Sequence, residues 1–197
     1  MMKLILSTDN KNNAKELRGS LKDPPIEILT KRDAGIEDLN VVEDGDTLQY
    51  NSLKKARELA ALVDAMVMAD DSGLFVDSLG GDPGVYSSRY GGEDGNDALN
   101  NKTLLQNLEG KDRKASFKTV IALITEDRQE YTVEGECKGK ILESPMGDNG
   151  FGYDPLFVPD GYSKTFAQLP SSIKNSISHR RRAIDALREE LEEILSE

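Results

Sequence analysis

The chain has 197 residues, with 25 Lys+Arg against 36 Asp+Glu and a formal net charge of −11. That length suits one domain, or one with a small second lobe, and 37% hydrophobic with 31% charged residues is a globular composition, not a disordered or fibrous one. The acidic balance excludes a coat on duplex nucleic acid or anionic lipid, both of which need a basic face, but leaves room for a small anion in a locally basic pocket.

No internal repeat or low-complexity linker interrupts the sequence. Lys3–Ser7 reads as a short buried strand. Thr8-Asp9-Asn10 then offers helix-capping side chains ahead of Ala14, Leu17 and Leu21 at helical spacing, and a strand opening into a helix this way is an anion site. Pro24-Pro25 ends that helix, and Ile26–Leu29 is a second strand. Thr47 is the expected N-cap of a long helix to about Leu62, with Leu53, Ala56, Ala60 and Val63 on one face. Ala65–Ala69 is a continuous apolar strand of the kind buried on both faces, expected to end at Asp70-Asp71-Ser72-Gly73.

Gly80–Gly84 follows as a turn and Asp97–Leu108 as a helix. Ser116–Thr125 and Glu130–Lys138, joined by Glu126-Asp127-Arg128, form a hairpin signal. A glycine-rich stretch, Gly147–Gly152, precedes an expected strand at Tyr153–Val158. Ser178 caps a final amphipathic helix with Ile184, Leu187, Leu191 and Ile194/Leu195 as its stripe. Strands mixed with helices around a long hairpin predict an α/β fold with a mixed sheet.

Cys137 is the single cysteine, so no intramolecular disulfide is expected, and no Cys/His cluster has zinc spacing. It reads as a core residue. The start, Met-Met-Lys-Leu-Ile-Leu, turns polar at Ser7, too short for a signal peptide, and no run approaches the ~18 apolar residues of a membrane helix. A cytoplasmic protein is expected.

Asp70-Asp71 carries the strongest chemical signal, since ligands of open α/β sheets bind beyond the carboxyl ends of strands. One carboxylate there can hold Mg²⁺ or act as general base while the other makes structural hydrogen bonds; the alternative is a plain Asp-rich turn. Glu43-Asp44-Gly45-Asp46-Thr47 is either a solvated turn or the source of a second metal-binding carboxylate. Lys55, two turns into the helix, reads by itself as a surface lysine. Phe151-Gly152-Tyr153-Asp154-Pro155 is either the start of a core strand or a place for a base to stack, with Asp154 accepting from a ring N–H.

Charge is distributed unevenly at the C-terminal end. Ile173–Arg182 has Lys174 and three arginines with no acid, while Ala183–Glu197 has six acids and one base. The four cations are either an exposed basic helix start or, because cations at a helix start oppose the macrodipole, a place where a bound anion or polar base favours them. Helical spacing puts Arg180 on the buried stripe, pairs Arg181 with Asp185 on the surface and leaves Arg182 solvated.

Thr8-x-Asn10, Glu43-x-Gly45-x-Thr47, Asn51, Lys55-Ala56, Ala69-Asp70-Asp71-Ser72-Gly73-Leu74, Gly84 to Tyr90, Phe151 to Phe157, Lys164-Thr165 and Ser178-His179-Arg180 occur in this order. That ordered set resembles the inosine/xanthosine triphosphate pyrophosphatase family (Ham1-like pyrophosphatases of non-standard purine nucleotides) over nearly the whole chain. The resemblance implies one elongated α/β domain over 1–197, with a long central mixed β-sheet, two lobes and an active-site cleft between them. It also implies a homodimer that uses Mg²⁺ to hydrolyse ITP, dITP and XTP to the monophosphate and pyrophosphate; the charge balance adds the expectation of no nucleic-acid or membrane partner. By position Asp71 is the metal-linked general base and Glu43 a metal ligand. Thr8, Asn10, Lys55 and Ser72 meet the triphosphate. Phe151, Gly152, Tyr153, Asp154, Lys174, His179 and Arg180 hold the base and ribose.

The family pattern Thr-Gly-Asn-x-x-Lys appears here as Thr8-Asp9-Asn10-Lys11-Asn12-Asn13. Its phosphate-binding lysine falls on Asn13 and its glycine on Asp9. A catalytically weak nucleotide-binding protein, or a pyrophosphatase with a shifted substrate, therefore stands beside the leading reading. If activity survives with a raised KM, Asn13→Lys lowers KM for ITP; an unchanged KM would show that residue 13 does not meet the triphosphate.

Overall fold

The computed structural model describes residues 2–8 and 26–196. The helix expected after Thr8, with Asp9, Asn10 and Asn13, lies outside them. Six strands form one sheet: β1 (Met2–Leu6), β2 (Ile26–Thr30), β3 (Met66–Val76), β4 (Lys114–Ile124), β5 (Glu130–Ile141) and β6 (Phe157–Pro159). Their order is β2-β1-β3-β4-β5-β6. β1 runs parallel to both β2 and β3, whereas β5 and β6 are antiparallel, so the sheet is mixed as expected. Helices α1 (Leu48–Ala60), α2 (Asp97–Asn107), α3 (Ser171–Ile177) and α4 (His179–Ile194) complete the described regular structure, together with 3-10 turns at Asp77–Leu79 and Gly84–Arg89. No described helix is long and apolar enough to cross a membrane.

The chain forms two compact units, residues 1–71 with 120–135 and 183–197, and residues 72–119 with 136–182. In the first, strand alternation sorts the apolar residues onto two faces. Leu4, Leu6, Met66, Met68, Ile121 and Leu123 cluster with Ala183, Ile184, Leu187 and Leu191 of α4. The intervening residues Ile5, Val67, Ala69, Ala122 and Ile124 cluster with Ala56, Leu59 and Ala60 of α1. Burial on both faces explains why these strands read as unbroken apolar runs. The second unit has its own core, in which Leu74, Val76, Phe117, Tyr153, Phe157 and Phe166 pack with Leu104 of α2 and Leu108 just beyond it. Cys137 is buried there as expected, and burial pushes its thiol pKa up to about 11.

Three boundaries differ from the sequence reading. The expected end of β3 at Asp70 is wrong: the strand runs on through Asp70-Asp71-Ser72-Gly73 to Val76. Its continuation is a second buried run, Leu74 and Val76, and the Leu74 N–H is held by the Ser87 hydroxyl at 2.9 Å. Gly73 permits this, because a Cβ there would lie 2.4 Å from the Gly84 carbonyl oxygen. The strand expected at Tyr153–Val158 is confined to Phe157–Pro159, since Tyr153 to Leu156 turn on themselves through a 2.9 Å Leu156 N–H bond to the Tyr153 carbonyl. Lys174 belongs to the separate helix α3, and Ser178 closes α3 before its hydroxyl accepts from the Arg181 N–H to start α4.

Gly73→Ala is expected to lower stability by about 1–3 kcal/mol through this backbone clash. A lower urea midpoint with an unchanged m-value would show it, and an unshifted midpoint would mean that β3 and the Gly84 turn can separate without cost.

Candidate active site

Three turns of α1 organise the chemistry of the first unit. Thr47 caps the helix as predicted, its hydroxyl accepting from the Tyr50 N–H at 3.1 Å. Asn51 and Lys55, four residues apart, share one face. That face meets the side of β3 carrying Val67 and Ala69, and because β3 continues, the next residue on that side is Asp71. Alternation therefore selects Asp71 over Asp70 as the carboxylate beside the helix.

The Lys55 ammonium lies 2.5 Å from a Glu43 carboxylate oxygen and 3.5 Å from Asp71 Oδ1. The side chains of Lys55 and Asp71 retain 14% and 12% of their exposure and that of Glu43 34%, so Glu43 is the open edge of the group. Burial raises the pKa of Asp71, Lys55 opposes that, Glu43 adds to it, and the result is about 6. For Lys55 burial acts downward, but the charges of Asp71 and Glu43 exceed it and the net shift is upward. The ammonium stays charged while the carboxylate beside it can take up a proton near neutrality.

Asn51 ties the group together, a role that its place in the sequence motif does not assign. It is fully buried, its Nδ2 donates to Asp71 Oδ2 at 3.2 Å, and its Oδ1 accepts from the Gly45 N–H at 2.9 Å. One amide thus connects the strand carboxylate to the loop bearing Glu43. Gly45 admits no side chain, since a Cβ would sit 2.7 Å from Asn51 Oδ1 and 2.1 Å from the Tyr50 ring. The four-residue step from Asn51 to Lys55 was the available signal.

Glu43 and Asp71 are hard oxygen donors. No group of three or more His, Cys, Asp or Glu side chains able to hold a metal occurs among the described residues. Two carboxylates nevertheless fit Mg²⁺, which is commonly held by one or two carboxylates with substrate phosphates supplying further oxygens.

The second unit holds a different arrangement. The Phe151 ring is 66% exposed. Lys174 Nζ lies 4.9 Å from its centroid and 5.6 Å from that of Phe166. Lys174 also bonds to Asp154 Oδ2, the oxygen that accepts the Phe151 N–H at 3.0 Å. The Asp154 carboxylate is thereby committed to holding this turn and the lysine. His179 stacks on Phe117 with centroids 4.8 Å apart, and its Nδ1 is buried without a hydrogen-bond partner. Burial first, then the charges of Arg180 and Lys174, lower its pKa to about 3, so the ring is neutral. A neutral imidazole with an unpaired Nδ1, stacked on the buried Phe117 ring, suits a polar heterocycle better than a phosphate.

A family model described as the Ham1 family matches residues 4–190. The chain belongs to the Ham1 family. A "dITP/XTP pyrophosphatase" of Clostridium perfringens is 47% identical over 204 residues, covering 99% of this chain and 100% of that relative. A relative of the same name from Thermoanaerobacter sp. is 47% identical, covering 95% of each chain. A solved HAM1 protein from Coxiella burnetii superposes with a TM-score of 0.91 at 36% identity, covering 98% of this chain and 100% of the other. These similarities bear out the family resemblance and the α/β fold with a mixed sheet.

In this Ham1-family chain, then, Glu43, Lys55 and Asp71 come together in one unit, and Phe151, Asp154 and Lys174 in the other. Lys55, read by itself as a surface lysine, is instead part-buried between carboxylates. Thr8 is half-buried just beyond β1. Ser72 shares a 2.7 Å hydroxyl–hydroxyl hydrogen bond with Thr119. Gly152 is fastened to α2 through its N–H and carbonyl. Tyr153 is buried and spends its hydroxyl on the Ser87 carbonyl at 2.7 Å, so it contributes packing, and burial raises its pKa. Arg180 is half-buried at the start of α4. Arg182, expected to be solvated, is exposed but donates to the Glu136 carbonyl at 2.6 Å.

The pKa of His179 fixes the sign of one pH effect. Unfolded histidine titrates near 6.5 and the folded ring near 3, so between these values the unfolded chain binds more protons and stability falls as pH drops. Asp71, with a raised pKa, contributes with the opposite sign between its ordinary value of 3.8 and about 6. Comparing wild type with His179→Gln cancels that part. The unfolding free energy of wild type is expected to fall relative to the variant from pH 6.5 towards 3; parallel curves would mean that the folded ring accepts the proton freely.

Proposed function

We propose that this chain hydrolyses ITP, dITP and XTP at the α–β phosphoanhydride, releasing the nucleoside monophosphate and pyrophosphate and so removing non-standard purine nucleotides from the pool. The names of the relatives support the substrate class. The observation that carries the chemistry is Asp71: a part-buried carboxylate with a pKa of about 6, hydrogen-bonded by Asn51 and neighboured by Lys55. A base with a pKa near working pH is both available and able to accept a proton in the transition state.

Thr8, Asn10, Lys55 and Ser72 contact the triphosphate, and Phe151, Gly152, Tyr153, Asp154, Lys174, His179 and Arg180 hold the base and ribose. A water oxygen bonds to the α-phosphorus as the bond to the α–β bridging oxygen breaks, and the water proton passes to Asp71. Lys55 offers positive charge to the phosphate oxygens. Glu43 and Asp71 would hold Mg²⁺, which would supply further charge neutralisation to the phosphate chain. Lys174 and Phe151 offer a cation and an exposed ring face to the base. Arg180 only donates, so it favours the 6-oxo group of hypoxanthine and xanthine and leaves adenine's amino group unpaired. The same reading makes the protein a cytoplasmic homodimer acting on free nucleotides. The charge of −11 supports the exclusion of nucleic-acid and membrane partners.

Pyrophosphate release from ITP, dITP, XTP, GTP, ATP and dUTP with Mg²⁺ tests the reading. Turnover of the first three should exceed that of ATP by about 100-fold or more, and Asp71→Asn should lower kcat by about 10²–10⁴-fold. A preference for ATP would contradict it. Tight binding without turnover would favour the nucleotide-binding alternative that Asn13 and Asp9 raise.

A further inference from the structure

The exposed Phe151 sits on a turn that Asp154 closes from within by accepting the Phe151 N–H. Gly152, the next residue, has a left-handed φ of 59°, and a Cβ there would meet nothing within 4 Å. Its glycine is required by conformation rather than by crowding, and a lone left-handed glycine is a flexible joint. Here both of its peptide groups are taken by one helix. The Gly152 N–H donates to Asp97 Oδ2 at 2.7 Å, and the Gly152 carbonyl accepts from Asn101 Nδ2 at 3.0 Å. Asp97 and Asn101 are four residues apart on α2 and so present their side chains on one face.

Two features show that this clamp is specific. The buried Oδ1 of Asn101 has no hydrogen-bond partner. An orphaned buried acceptor is unfavourable, and a leucine would avoid it, so the amide is there for its N–H group. Turning the amide over would set Oδ1 against the Gly152 carbonyl oxygen, which fixes its orientation. The helix itself is anchored. Asn100 is buried, accepts from the Gly91 N–H at 2.7 Å and donates to the Ser88 carbonyl at 2.9 Å. The Asn96 cap accepts from the Leu99 N–H at 3.0 Å.

We propose that Asp97 and Asn101 are positioning residues for base recognition: by gripping both sides of the Gly152 peptide they hold the Phe151 ring where a purine stacks. This rests on the base-binding reading of Phe151 given above. Both side chains are spent on the Gly152 peptide groups, so they act through the turn that carries Phe151. Their effect therefore falls on affinity for the base and not on affinity for the phosphate chain.

The test is a mutant cycle in the full-length protein. Asp97→Ala and Asn101→Leu should each raise KM for ITP by about tenfold, with a smaller change in kcat, and should weaken binding of inosine monophosphate measured by calorimetry. Inorganic tripolyphosphate should bind as it does to wild type. Asn101→Leu should leave the melting temperature unchanged or raised, and Asp97→Asn, which keeps an acceptor oxygen, should recover part of the loss. In a Phe151→Ala background neither Asp97→Ala nor Asn101→Leu should raise KM further.

Wild-type KM in both variants, effects that add fully to Phe151→Ala, or an equal loss of tripolyphosphate affinity would overturn the proposal. If wild type releases no pyrophosphate, the proposed activity fails, while affinity for inosine monophosphate still decides the clamp. Failure of wild type to bind that nucleotide would overturn both.

Discussion

A lysine ammonium held against two carboxylates in a largely dehydrated setting is the constraint on which the rest of the site depends. Lys55 cannot lose Glu43 and Asp71 without leaving a poorly solvated charge, which is unfavourable. Burial first, and repulsion from Glu43 after it, raise Asp71 to about 6, while the charges of Asp71 and Glu43 move Lys55 upward against its own burial. The helix start at Thr47, the absence of a side chain at Gly45 and the buried amide of Asn51 all bring the two acids to one cation. The site stores an excess of negative charge that a further cation can relieve.

The sheet makes this possible. In the first unit its two faces are covered by α1 and α4, and the one-residue alternation of β3 decides which acid faces which helix. Asp71 lies on the α1 side because Val67 and Ala69 do. A one-residue slip of β3 would bring Asp70 to Lys55 and turn every neighbouring apolar residue to the opposite face. The register of the chemistry is thus held by the same burial that stabilises the core. The second unit uses another device, in which a buried carboxylate, Asp154, holds both a lysine and the turn that displays an aromatic ring.

Much of this was legible in the sequence. The apolar runs of β1 to β3, the cap at Thr47, the hairpin of β4 and β5 and the stripe of α4 all follow from local pattern, because burial on known faces enforces the period. The course of β3 beyond Asp70 was hidden, since three polar residues and a glycine look like a strand end. They are instead a strand crossing between two cores, with Leu74 and Val76 beginning the second. Asn51 and the grip of Asp97 and Asn101 on Gly152 were hidden for another reason. Their roles come from hydrogen bonds to residues 20 and about 50 positions away, which no local period records.

The central claim is that burial and Glu43 raise the Asp71 carboxyl while Lys55 holds it from rising further. A carbon-detected NMR titration of Asp71 in the metal-free protein measures this directly. The account predicts an apparent pKa near 6 in wild type and a higher one in Lys55→Met. A wild-type value in the ordinary aspartate range near 4, or one unmoved by loss of the lysine, would contradict it.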